Sequence, residues 1–317
     1  MAQSRFPALM VAASFGLAML CVPLADIVHA RQTPSARIAT SYGSGPVALS
    51  VLQDGEAVVL QADGQAYTLN MATGAIGPQI YRVPAGYQAV DIASGRVSGN
   101  LVTCFSLNPR SSKDGRSFVL QVTPDKREVW TWLRVRGVYV GLALEPARGV
   151  AYAANSTTNE VYAVTIGNQN VAPRRVAAIP SAVRLGAMAI APATRRLYVA
   201  DMGAPRLYTI ELATGAVRTV DVGVEETRAL AWDGQRKRLF IADSGHETVL
   251  VVDPNARAPK VERVVSDKRL RDPAGVTVAP DGTLWVADEA GRSLFQVSAE
   301  ARSITRTVRW APPKSAM

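Results

Sequence analysis

Short apolar runs separated by tight polar turns recur along most of this chain. They follow a period of two and are rich in Val, Ile, Leu and Ala, which excludes repeats built from helices. Four copies are plain: residues 141–146 lead into 150–155, 187–192 into 197–201, 229–233 into 239–243, and 275–280 into 284–288. Each is an apolar strand, a turn, and a second strand ending on a polar marker, Asn155, Asp201, Asp243 or Asp288. The markers stand 46, 42 and 45 residues apart, and each is followed by a third strand, such as 207–210 or 249–252, and a fourth, more polar one. One such four-stranded sheet cannot bury both of its faces alone, so the sheets must stack on one another as blades in a ring. Weaker copies at 47–52, 57–61 and 66–69, and at 90–93, 100–105 and 118–122, bring the blades to six. The fold class expected is all-β, a six-bladed β-propeller of four-stranded antiparallel blades. Its last outer strand falls at 304–310, and the segment 37–40 is a candidate for closing the ring.

The composition agrees with a globular β protein: 48% of the 317 residues are hydrophobic and 19% charged, and 24 Gly and 19 Pro supply the turns. Residues 1–30 read as a secretory signal, with Arg5 before the apolar run 8–24 and small residues at Val28 and Ala30 for cleavage. Residues 31–317 then form a single β-propeller domain of a periplasmic or secreted protein, with no membrane span after the signal. An uncleaved N-terminal anchor is the alternative; lipidation at Cys21 is disfavoured because Leu20 precedes it where a small residue is wanted. The mature chain keeps one cysteine, Cys104, in a strand-like run, which suits a small buried hydrophobe and forbids an internal disulfide. The net charge of +9 favours acidic partners, although no cluster of Lys, Arg and aromatic residues has the form of a nucleic-acid module.

The run Leu239-Phe240-Ile241-Ala242-Asp243-Ser244-Gly245-His246, continuing to Val249-Leu250-Val251-Val252-Asp253-Pro254, resembles an NHL repeat, and the blades marked by Asp201 and Asp288 are similar but looser. Over about residues 40–310 the chain looks like the NHL-repeat and gluconolactonase-like (senescence marker protein-like) propellers, a group that includes hydrolases, lyases and binding platforms. The resemblance to the gluconolactonase-like enzymes implies a central calcium held by Glu, Asn and Asp at the starts of inner strands. Here Ser44 stands in the Ser44-Gly45-Pro46 motif where the Glu would be, and the other ligand positions fall on Leu185 and Arg228, or on Arg228 and Ala274. The expected ligands are therefore absent, no cofactor is identified, and calcium is retained only with other donors. Asp54, Asp91 and Asp272 are the candidate inward carboxylates for such a reorganised site.

Several other residues carry candidate chemistry. The markers Asp201, Asp243 and Asp288 share one phase before a turn, which suits carboxylates that accept backbone N–H bonds. His246 is the single histidine after the signal, so any histidine-dependent catalysis must use it; in an NHL-like turn a polar residue is expected in any case. Arg184 and Arg228 are expected just before innermost strands, overlooking the channel mouth, where they either grip an anion or pair with a rim acid such as Glu225, Glu226 or Asp272. A long polar loop at 106–117 adds Arg110, Lys113 and Arg116 on the same face. Trp130 and Trp132 alternate on an outer strand and read as packing. Arg148, Arg195, Arg196, Arg236, Lys237 and Arg238 fall in first-turn positions of three consecutive blades and should share the opposite face as a basic sector.

The function expected is that of an exported binding or assembly module, acting as a monomer on a protein partner or an anionic small molecule. The alternative is a gluconolactonase-like hydrolase or lyase with a reorganised channel-mouth site.

Overall fold

The computed structural model describes residues 44–52, 55–111, 115–224, 226–300 and 302–313. The expected signal 1–30, the candidate closing segment 37–40, Asp54, Lys113 and Glu225 lie outside the described residues. Six four-stranded antiparallel sheets follow one another in chain order. The first blade holds β1 (Pro46–Val51), β2 (Glu56–Gln61), β3 (Gln65–Asn70) and β4 (Ile76–Arg82), and the second β5 (Tyr87–Val97), β6 (Asn100–Pro109), β7 (Phe118–Val122) and β8 (Glu128–Trp132). The third has β9 (Tyr139–Glu145), β10 (Val150–Asn155), β11 (Glu160–Thr165) and β12 (Arg174–Ala178), and the fourth β13 (Leu185–Ala191), β14 (Arg196–Asp201), β15 (Arg206–Glu211) and β16 (Val217–Asp221). The fifth has β17 (Thr227–Asp233), β18 (Arg238–Asp243), β19 (Thr248–Val252) and β20 (Val261–Ser266), and the sixth β21 (Pro273–Val278), β22 (Leu284–Asp288), β23 (Ser293–Ser298) and β24 (Ser303–Arg309). The innermost strands touch in the cycle β1, β5, β9, β13, β17, β21 and back to β1, so the blades form a closed ring around a channel.

The burial pattern follows from this stacking. A second strand such as β18 lies between two neighbouring blades, so Leu239, Phe240, Ile241 and Ala242 are all buried and the strand reads as a continuous apolar run. The outermost β24 has one face in water and alternates exposed with half-buried residues. The core is accordingly a set of wedges between blades: Tyr152 and Val161 of the third blade pack with Leu185, Leu197 and Tyr208 of the fourth. Each fully buried Leu, Ile, Val or Phe is worth about 1.5–3 kcal/mol, so the wedges hold the ring together more strongly than any single ladder bond. Near the channel the blades come so close that a Cβ on Gly141 of β9 would collide with the Gly186 carbonyl of β13.

Among the described residues every blade takes its four strands from one contiguous stretch of chain, so side chains close the ring between β24 and the first blade. Trp310, just past β24, is buried against Tyr67 at 5.7 Å between ring centres, edge to face, and Arg306 Nη1 donates to the Ala72 carbonyl at 2.7 Å. The second blade departs from the expected boundaries. β6 runs on to Pro109, so 106–109 is strand and the polar loop begins at Arg110; β5 and β6 are also the longest strands, at 11 and 10 residues.

Candidate functional site

Each innermost strand shifts register against its neighbour near its start, where two residues face one on the partner strand. The extra residue turns toward the axis. Val47, Val90, Val140, Ala187, Arg228 and Ala274 thus ring the channel mouth, around a small opening of about 70 Å³. Behind it the channel encloses about 300 Å³ between the six inner strands. Among its lining residues two side chains ionise, Asp91 and Arg228. Asp91 belongs to the second blade and Arg228 to the fifth, opposite walls of a six-membered ring.

Arg228 is not poised before its strand; it is the bulge residue inside β17. Its guanidinium lies 3.0 Å from Glu289 and 3.7 Å from Asp272, both reached across the gap to the sixth blade. The rim-acid pairing is realised through Asp272, while Glu289 is a partner that the sequence reading passed over. Burial raises the Asp272 pKa, Arg228 pulls it down, and Glu289, Asp288 and Glu226 push it up again. An added anion at Arg228 would therefore share the guanidinium with two carboxylates. Arg184 sits half-buried in the turn before β13, its N–H donated to Asp201 Oδ1 at 3.0 Å.

Asp91 does face inward. Its Oδ2 accepts the Leu142 N–H of the next blade at 2.9 Å and its Oδ1 the Ile92 N–H at 2.8 Å. Burial lifts its pKa from 3.8 to about 7, against the pull of those two bonds. Asp272 is at the rim, away from the Asp91 wall. Among the described residues no three of His, Cys, Asp and Glu converge as a metal-binding set. Cys104 is fully buried in β6, and burial pushes its thiol up to about 12.

The polar markers do what their phase suggested. Asp201 accepts N–H bonds from Val183, Arg184 and Gly203, Asp288 from Arg271, Asp272 and Gly291, and Asn155 Oδ1 from Thr157 and Thr158. Each buried marker fixes the turn that brings the chain to a third strand and ties it to the start of an innermost strand. Asp243 does one thing more. It accepts the Glu226 N–H at 3.0 Å and holds His246 Nδ1 at 2.8 Å, leaving the half-exposed imidazole oriented at the surface of this marker face.

On the marker face of the second blade, Arg110 is pinned at the loop base, its Nε donating to the Tyr87 carbonyl at 2.8 Å. Arg116 lies over the Trp132 ring at 4.6 Å. Trp130 packs against Tyr87 and Phe118, as expected of it, but Trp132 is 41% exposed and so is not core packing. Val183, beside Arg184 on the fourth blade, is 62% exposed on this face. The basic set falls on the opposite face, in the turns after β9, β13 and β17 and at the first residues of β14 (Arg196) and β18 (Arg238). Its charge there is largely matched: Arg148 and Arg195 flank Glu145, Arg196 pairs with Glu211, and Arg236 pairs with Asp233 and Glu300. Lys237 and Arg238 are exposed in the same sector.

No family model matches this sequence, and no curated protein matches it. Solved structures do. A chain of a nidogen/laminin complex aligns with TM-score 0.67 at 13% identity, over 80% of this chain and 94% of that one. A catalytically inactive histidine-to-alanine form of virginiamycin B lyase from Staphylococcus aureus, with quinupristin, aligns with TM-score 0.56 at 14% identity, over 80% and 94%. A luciferin-regenerating enzyme aligns with TM-score 0.55 at 19% identity, over 71% and 78%. No helix among the described residues is long and apolar enough to cross a membrane. The likenesses show the fold: this chain is a six-bladed β-propeller of four-stranded antiparallel blades, built as binding modules and lyase- or hydrolase-like enzymes alike are built.

Proposed function

We propose that the protein is an exported recognition module, periplasmic or secreted and monomeric, that holds a protein partner or an anionic small molecule on its marker face. The observation that carries this reading is the exposed Trp132 with Arg116 over its ring. Aromatic and Arg side chains are enriched where interfaces are strongest, and an indole left in water gains most by being covered. Exposed Val183 and neighbouring Arg184 extend that surface around the channel mouth, and the nidogen/laminin complex supplies a propeller-sized precedent for protein contact. The test is crosslinking of the purified chain in the extracytoplasmic fraction, comparing the natural sequence with Trp132→Ala, Val183→Asp and, as a control on the other face, Lys237→Glu. A crosslinked partner lost in the first two and kept in the third supports the reading; equal capture by all four overturns it. A small anion held at the mouth would raise the unfolding temperature of the natural chain but not of Arg184→Ala.

A second reading is favoured by the Asp243–His246 pair. A buried carboxylate that fixes one imidazole nitrogen orients the ring, an arrangement that a lyase or hydrolase can use for proton abstraction. The inactive histidine variant of virginiamycin B lyase lends this weight. Turnover of cyclic esters or lactones that vanishes in His246→Ala, and is restored at neither low nor high pH, would replace the binding reading with an enzymatic one. Turnover unaffected by that change would dismiss His246 as its base.

A further inference from the structure

The connection from β8 to β9 alternates in its exposure to water. Leu133 is buried and Val135 half-buried in the wedge between the second and third blades, while Arg134 and Arg136 are exposed. The segment is held in place. Arg134 has φ 55° and the Val135 N–H turns back on the Leu133 carbonyl at 2.5 Å, a γ-turn of the strained hand, and the Tyr139 hydroxyl donates to the Val135 carbonyl at 3.1 Å. Leu133 also donates to the Ser117 carbonyl at 3.0 Å and Ser117 Oγ to the Gly137 carbonyl at 2.9 Å, which brings the turn carrying Arg116 against the one carrying Arg134 and Arg136. On the other side Asn155 Nδ2 donates to the Arg136 carbonyl at 3.3 Å, and Asn159 binds the Ala182 carbonyl at 2.6 Å and the Leu185 N–H at 3.1 Å. An arc of the marker face is thereby fixed from Trp132 through Arg116, Arg134 and Arg136 to Val183 and Arg184.

The arc carries positive charge that nothing in it balances. Its segments 115–117, 133–138, 155–160 and 179–184 hold four arginines and one acid. That acid, Glu160, is occupied by the Tyr162 hydroxyl at 2.6 Å, Arg175 at 2.8 Å and the Thr158 hydroxyl at 2.9 Å. Arg116, Arg134, Arg136 and Arg184 make no ion pair among the described residues, and Lys113 and Asp114, next to Arg116 in the chain, cancel in charge. Elsewhere the molecule pairs its arginines: on the opposite face Arg148, Arg196 and Arg236 each stand against an acid. Like charges held on fixed turns repel one another. A partner that brings carboxylates relieves the repulsion, and each guanidinium can take a carboxylate through two parallel hydrogen bonds.

We infer that the partner held on this arc is an acidic protein segment, with carboxylates on the four guanidiniums and apolar side chains over Trp132 and Val183, which are 41% and 62% exposed. The inference rests on the marker face being the recognition surface and adds the chemistry of what that surface recognises. An acidic polysaccharide pairs with arginine and stacks on an indole, but it offers little to Val183, whereas a peptide supplies carboxylates and apolar side chains together. Because the turns are already tied to one another, docking orders little backbone, and the charge steers the encounter.

The probe is a short peptide of Asp, Glu and Leu carrying a neutral dye, with the same peptide in Asn, Gln and Leu as control, read by fluorescence anisotropy on the purified chain. The acidic peptide should bind at least about tenfold more tightly than the amide peptide, and raising the salt from about 0.05 M to about 0.5 M should weaken it by about tenfold or more. Arg116→Gln/Arg134→Gln/Arg136→Gln should remove at least about tenfold of that affinity. Arg174→Gln/Lys237→Gln/Arg238→Gln takes the same charge from exposed residues of the opposite face and should leave the affinity within about twofold. All six side chains are exposed, so both variants should melt near the natural chain. A photoreactive acidic peptide reads the site without any variant, and its label should fall within 115–117, 132–138 or 181–184. Equal binding of the two peptides, equal loss in the two variants, label on other segments, tighter binding of polygalacturonate than of the acidic peptide, or no binding would overturn the assignment. Crosslinking that is still lost in Trp132→Ala and Val183→Asp would then keep the recognition surface and discard only its acidic partner, so the two failures are told apart.

Discussion

Trp310 donates its indole N–H to Gln61 Oε1 at 2.9 Å, a bond that joins the end of the sixth blade to the second strand of the first. Both groups are buried, Trp310 at 2% exposure and Gln61 at 5%, and the indole fills the wedge that holds Leu69, Trp285 and Leu294. Replacing Trp310 with Ala should cost about 3–5 kcal/mol, because it empties a large core site and also strands a buried amide oxygen. Trp310→Phe should cost less, since it keeps most of the packing and loses the bond. Urea unfolding of the two variants checks the order; equal costs would mean that the bond, which both variants lose, carries closure and the packing of the aromatic ring adds nothing.

Asp288 carries three N–H groups, those of Arg271, Asp272 and Gly291, while the third blade does the same work with the neutral Asn155. What the turn needs is an acceptor oxygen, and charge is secondary. Asp288→Asn should therefore be tolerated far better than Asp288→Ala, which leaves several buried donors unpaired at about 1–3 kcal/mol each. Equal destabilisation in thermal unfolding would assign the role to the charge instead.

Arg228 and Glu289 are both departures from the repeat, and they meet. At the bulge the other blades carry Val47, Val90, Val140, Ala187 and Ala274, and after the marker they carry Ser156, Met202 and Ser244. Arg228→Val alone leaves Glu289 and Asp272 facing each other without their cation, and Glu289→Ser alone removes the nearer of two carboxylates. The double variant restores what the rest of the ring uses. Its destabilisation should fall short of the summed single changes by at least about 1 kcal/mol in a double-mutant cycle; additive effects would show that the pair is not coupled.

The repeat made the ring legible because four of the six blades solve the same problem with nearly the same residues: an apolar second strand, a small residue, and a buried marker that catches N–H groups. Asp201, Asp243 and Asp288 could be read as turn-setting from their phase alone. Glu289 escaped because it sits one place beyond a marker, where comparing Ser156, Met202 and Ser244 would have exposed it as the odd residue. Asp91 was named as an inward carboxylate, yet its burial depends on a register shift between Ala89 and Asp91 that becomes visible only when β5 is paired with β6. The hairpin at 94–101 was missed for a different reason. Its polar Ser98, Gly99 and Asn100 read as an ordinary turn, and nothing local says that the strands on either side continue past the disc.

Asp91 gives the molecule a pH dependence that its surface charges would not. An unfolded aspartate ionises near 3.8, whereas in the channel this one holds its proton to about 7 because burial penalises the charged form. The folded state thus binds the proton more tightly than the unfolded chain does. The stability it contributes is fully present below about pH 4, declines as the unfolded chain ionises first, and is lost once the pH has passed the folded value near 7. The slope is about 1.4 kcal/mol per pH unit at most. Asp91→Asn keeps an acceptor for the Leu142 or Ile92 N–H and removes the titration. Its stability relative to the natural chain should be near zero difference at about pH 4 and should rise to a gain of a few kcal/mol by about pH 8. Chemical denaturation across that range decides it. A difference that stays flat with pH would mean that channel water solvates the carboxylate well enough to keep it ionised, and that Asp91 serves only to bridge the second and third blades.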